Sequence, residues 1–134
     1  MIDHHEALIY TMVMVSAADR EMTDNELRAI GEFVQHLPVF RDFERGRLTG
    51  IANDCAGLLD QDKGLDRLLE SIKEGLPKKL RETAYALACD VAAADDHLTQ
   101  EELRLLELIR HALDIDRLSA AAIERGARAR HTVL

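Results

Sequence analysis

The sequence predicts an all-α protein: a compact bundle of about seven helices that contains a duplicated helix–acidic turn–helix unit. Apolar residues recur every three or four positions along most of the 134 residues, and no segment alternates with the period of two that is typical of strands. Ala, Leu, Glu and Arg are abundant, aromatic residues make up only 4% and there is no Trp, so propensity also favours helix. We expect one domain spanning residues 1–134.

The duplication is visible directly in the sequence. Residues 17–28 read AADREMTDNELR and residues 93–104 read AADDHLTQEELR, with seven of twelve positions identical. The offset is constant, because 95 − 19 and 102 − 26 both give 76. We therefore predict two related hairpins, at about residues 4–37 and 78–113.

The first hairpin begins at Asp3, which is a good N-cap for a helix over about residues 4 to 18 that is apolar on most sides. Thr23 and Glu26 form a capping box for the second helix, and Pro38 ends that helix. Periodic apolar residues predict a third helix from about residue 40 to 59, followed by a fourth that is closed by Gly75 and Pro77.

The second hairpin starts with a fifth helix at about residues 78 to 94. Thr99 and Glu102 repeat the capping box for the sixth helix. Asp116 is the expected N-cap of a seventh helix that continues to about residue 128. Cys55 and Cys89 fall on apolar helical positions, which indicates buried thiols rather than a disulfide.

Charge and hydropathy exclude several classes of function. A net charge of −8 argues against general binding to nucleic acid or anionic membranes, and it is compatible with a cation or a basic partner. No apolar run approaches the roughly 20 residues of a membrane span. The first residues carry acid and His where a signal peptide has Lys or Arg. We expect a cytoplasmic location and no direct membrane insertion.

The acidic turns carry the main chemical hypothesis. If the two hairpins pack with pseudo-twofold symmetry, Asp19, Glu26, Asp95 and Glu102, with help from Asp96, offer carboxylates to a hard cation such as Ca²⁺, Mg²⁺ or Mn²⁺. The negative ends of helices disfavour Asp19 and Asp95 unless a cation is near.

A structural interpretation stands beside the metal hypothesis. Glu26 and Glu102 are already explained as capping residues, and the aspartates can cap the following helices. Arg28 and Arg104 also recur and offer partners for the aspartates.

Other known metal-binding and catalytic motifs do not fit the sequence. An EF-hand does not fit, because position six counted from Asp19 is Asp24 instead of Gly. Glu32/His36 and Glu107/His111 are spaced by four, which is typical of surface pairs and differs from the Glu-x-x-His spacing of di-iron sites. No glycine-rich phosphate loop or nucleophile elbow is present. We predict no catalytic residues, and no cofactor other than a divalent cation.

The doubled pattern A-A-D-x-x-[ML]-T-x-x-E-L in an all-helical chain of this length resembles the tellurite-resistance TerB family. The family commonly has Gly after the Asp, where this chain has Arg20 and Asp96. The resemblance implies a compact all-α domain linked to tellurite or other chemical stress and to phage defence in bacteria. It also implies a role in metal binding for the acidic turns.

Two functions are therefore expected. One is a non-enzymatic, TerB-like protein that acts with other proteins of a stress-response complex and binds a divalent cation through its paired acidic turns. The other is a metal-free interaction module that docks a partner through its acidic surface.

Overall fold

The computed structural model describes residues 2–17, 23–94 and 98–134, and within those ranges it contains seven α-helices and no strand. This confirms the predicted fold class. The helices are α1 (His4–Ser16), α2 (Asp24–His36), α3 (Leu48–Leu59), α4 (Gly64–Gly75), α5 (Arg81–Ala93), α6 (Gln100–Ala112) and α7 (Arg117–Arg130). None of the helices in these ranges is both long and apolar enough to cross a bilayer.

The helix α1 lies at the centre of the bundle. Every residue from Ala7 to Ser16 is buried, as expected of a helix that is apolar on most sides. It packs against α3, α4, α5 and α6. The core around it is mainly aliphatic, with Leu8, Met12, Leu68 and Ile109 almost completely buried.

Helix starts follow the predicted caps. The Asp3 side chain accepts a hydrogen bond from the backbone N–H of Glu6 (2.8 Å), and the Glu6 carboxylate accepts in return from the N–H of Asp3. Asp116 accepts from the N–H of Ser119 at 2.9 Å. Each such cap stabilises its helix by about 1 kcal/mol.

The predicted start of the third helix at about residue 40 is wrong, because α3 begins at Leu48. Residues Pro38–Phe40 and Arg45–Arg47 form short 3₁₀ turns. The rings of Phe40 and Phe43 lie 5.7 and 5.2 Å from that of His5, so the two aromatic residues anchor a loop instead of a helix face. Periodicity alone does not distinguish these two uses of apolar residues.

The two hairpins pack reciprocally. The first helices of the repeats, α1 and α5, contact each other, while α1 also contacts α6 and α5 also contacts α2. Each repeat therefore places its first helix against the second helix of the other, the pattern expected of a twofold relation. This arrangement brings the starts of α2 and α6 together.

Candidate functional site

Two buried glutamates mark the place where the repeats meet. Glu26 at the start of α2 and Glu102 at the start of α6 are each only 3% exposed. Carboxylates are rarely buried to this extent without a charged partner. They are the equivalent residues of the two repeats. They lie close enough for the Glu102 carboxylate to raise the pKa of Glu26.

Each glutamate uses one carboxylate oxygen to cap its own helix. Oε1 of Glu26 accepts from the backbone N–H of Thr23 (3.0 Å) and from its hydroxyl (3.1 Å), and the N–H of Glu26 donates to that hydroxyl. Glu102 makes the same contacts with Thr99, all at 3.1 Å. The predicted capping boxes are therefore confirmed.

The second oxygen of Glu102 is not used in this way. Its Oε2 is buried and has no hydrogen-bond partner among the described residues. An unpaired buried acceptor costs about 1–3 kcal/mol, and more if it is charged. The arrangement therefore leaves an acceptor that a proton or a cation would satisfy.

The pair is also electrostatically strained. Burial, reinforced by the neighbouring Glu102 carboxylate, raises the pKa of Glu26 from its ordinary value of 4.5 to about 7, although the hydrogen bonds from Thr23 act in the opposite direction. Two carboxylates that share a site disfavour their joint ionisation. The fold therefore favours the protonated form of Glu26 up to about neutral pH.

The structure accounts for only part of the predicted ligand set. It brings Glu26 and Glu102 together, whereas Asp19, Asp95 and Asp96 lie outside the described residues. The expected pairing of Arg28 and Arg104 with the aspartates falls outside those residues as well. Within the described ranges, no group of three or more His, Cys, Asp or Glu side chains is arranged to hold a metal ion.

Glu26 and Glu102 were predicted both as helix caps and as candidate ligands. The capping role is confirmed, and the nearly complete burial of both carboxylates is the feature that the sequence did not show. The meeting of the two carboxylates depends on reciprocal packing of the repeats, which the sequence analysis could state only as a condition.

Both thiols are buried, as predicted, and neither is in a disulfide. Burial raises the pKa of Cys55 and that of Cys89 to about 12. At neutral pH each side chain is therefore almost entirely the thiol, which is a poor nucleophile compared with the thiolate.

One protein family matches the part of the chain that contains this site. The family model described as "Tellurite resistance protein TerB" matches residues 5–125, a stretch that includes both capping boxes and both acidic turns. Searches of curated proteins and of solved structures returned no significant match.

Proposed function

The chain belongs to the TerB family of tellurite resistance proteins, and on that premise we propose that it is a non-enzymatic stress-response protein that binds a divalent cation between its repeats. Glu26 and Glu102 would supply the buried ligands. Asp19 and Asp95, with Asp96, would supply further oxygens from the neighbouring turns. The observation that carries this proposal is the burial of two neighbouring carboxylates, one of which has an oxygen without a hydrogen-bond partner among the described residues.

The donor set suits a hard cation. Carboxylate oxygens are the ligands that Ca²⁺, Mg²⁺ and Mn²⁺ prefer. Positive charge beside Glu26 and Glu102 would offset their repulsion and satisfy Oε2 of Glu102. Because each glutamate also caps a helix, a cation there would fasten the starts of α2 and α6 to each other.

Thermal unfolding tests the cation. The protein is melted in EDTA and then with Ca²⁺, Mg²⁺ or Mn²⁺ in excess. A ligand at 100 times its Kd stabilises the native state by about 2.7 kcal/mol, so at least one cation should raise the Tm by several degrees. The E26Q/E102Q and D19N/D95N double variants should lose that increase.

Glu101→Gln is the matched control, because Glu101 is an exposed acid in the first turn of the same helix as Glu102. It should keep the cation response. An unchanged Tm with all three cations would exclude the metal site.

A second candidate function is a metal-free interaction module. Leu27 and Leu103, the residues that follow the two glutamates, are 52% and 44% exposed, and Leu98 is 47% exposed. Exposed leucines at equivalent positions of two repeats, in a chain of net charge −8, fit a partner with apolar and basic side chains.

Complementation of a tellurite-sensitive deletion strain separates the two candidates. If the partner surface is what matters, L27S/L103S should lose protection while E26Q/E102Q keeps it. If the cation is what matters, the opposite pattern is expected. Both variants are first checked for native helicity and Tm.

A further inference from the structure

We infer that α7 can separate from α5 while the rest of the bundle stays folded. Two polar contacts, which we call clasps, hold α7 against α5 in the closed state. The first clasp joins Tyr85 to Glu124. The second joins Asp90 to Arg130 and His131. The inference goes beyond cation binding, because neither clasp involves the residues of the candidate site.

The apolar contribution of α7 is small. Its buried residues are only Ala120 and Ala127, Ile123 is partly buried, and Leu118 is 84% exposed. Helices in globular proteins owe most of their stability to packing of an apolar face, and two methyl groups supply little of it. Polar contacts therefore add to a docking in which the apolar part contributed by α7 is small.

The face of α5 under α7 differs from its counterpart in the other repeat. With the offset of 76 residues, Tyr85, Cys89 and Asp90 correspond to Ile9, Val13 and Met14 of α1. The residues of α1 are all apolar and buried. The face of α1 is therefore entirely apolar. The equivalent face of α5 carries a hydroxyl and a carboxylate, which water can solvate.

The clasps have good geometry. The hydroxyl of Tyr85 donates to Oε2 of Glu124 at 2.5 Å. Nη2 of Arg130 donates to Oδ1 of Asp90 at 2.7 Å, and Nε2 of His131 lies 3.4 Å from the same oxygen. The Asp90 side chain is only 12% exposed while its partners are in place.

The second clasp joins Asp90, which lies in the region that the family model matches, to two residues beyond that region. The family match ends at residue 125, so Arg130 and His131 lie beyond it. Arg130 is the last residue of α7 and His131 is its C-cap, so opening of this end of the helix releases both residues. Local opening of this kind needs less free energy than global unfolding.

The two cysteines provide an internal comparison. Cys89 is on the α5 face that α7 covers. Cys55 lies in α3 against α1, where its Sγ donates to the carbonyl oxygen of Tyr10 at 3.7 Å. Opening of α7 exposes the first thiol and leaves the second protected.

The experiment follows modification of both thiols in the full chain. The protein is incubated with N-ethylmaleimide at several low urea concentrations, and each cysteine is quantified by peptide mass spectrometry. Cys89 should react at least about tenfold faster than Cys55, with a smaller urea dependence, because less surface is exposed in its opening.

Variants at the clasp sharpen the result. R130A/H131A should accelerate modification of Cys89 by about fivefold and leave the Cys55 rate unchanged. Arg128→Ala, an exposed arginine on the same helix, is the matched control and should change neither rate. Equal rates with equal urea dependence for the two cysteines, or parallel acceleration of both in R130A/H131A, would overturn the inference.

Discussion

Replacing Glu26 with Gln should stabilise the protein at alkaline pH in the absence of divalent cations. The change keeps the shape of the side chain, and Gln also serves in a capping box. It removes one of the two charges at the junction of the repeats. Most substitutions of buried residues destabilise a protein, so an increase in stability would be diagnostic.

The expected size follows from the raised pKa. A shift from 4.5 to about 7 corresponds to at most about 3 kcal/mol of destabilisation once Glu26 is ionised. Loss of a negative charge at a helix N-terminus costs up to about 1 kcal/mol. The net gain at pH 8 is then about 2 kcal/mol or less, which is a Tm increase of roughly 5 °C for a domain of this size.

The stability of the wild type should fall as the pH rises. The folded state holds the Glu26 proton more tightly than the unfolded chain does, so the wild type should lose stability as the pH rises from 4.5 to about 7. At pH 5 the wild-type carboxyl is mostly protonated in the fold but largely ionised in the unfolded chain, so E26Q should be more stable than the wild type by only about 1 kcal/mol or less.

The assay is circular dichroism melting in EDTA at pH 5 and pH 8, with Glu101→Gln as the control for removal of an exposed charge. The electrostatic reasoning is refuted if E26Q lowers the Tm by the same amount at both pH values. That result would mean that Glu26 acts only as a helix cap.

Three further predictions concern the fold, and denaturant unfolding checks each. Gly64→Ala should lower the free energy of unfolding by several kcal/mol or prevent folding, since an added Cβ would lie 2.1 Å from the backbone oxygen of Leu58. Gly57→Ala is the contrast: its Cβ meets nothing within 4 Å, so it should stabilise α3 by up to about 1 kcal/mol. Leu68→Ala removes a fully buried side chain and should cost about 2–5 kcal/mol; a loss below 1 kcal/mol would contradict its place in the core. Thr99→Ala should cost about 1 kcal/mol through the lost cap, and a Ser at the same position should restore most of it.

Local chemistry made most helix boundaries predictable. Caps such as Asp3, Thr23 and Asp116 act on N–H groups two or three residues away, so their effect is readable from sequence. The start of α3 was missed because Phe40 and Phe43 pack on His5, which is more than thirty residues earlier. Contacts of that range leave no local pattern.

The candidate site likewise combines local features, which were predictable, with long-range contacts, which were not. Its capping hydrogen bonds were predictable, because Thr23 and Glu26 are three residues apart. The meeting of Glu26 with Glu102 depends on how α1 and α5 pack, and the repeat only made that meeting plausible. The participation of Asp19 and Asp95 stays a prediction.

The all-round burial of α1 has a consequence for synthesis of the chain. Its partners α5 and α6 follow it by about seventy or more residues, which takes a ribosome on the order of 4–15 seconds to add. During that interval the most extensively buried helix of the protein has only α2, α3 and α4 to pack against. The surface of α1 that α5 and α6 cover in the fold therefore stays exposed until the second repeat has been synthesised.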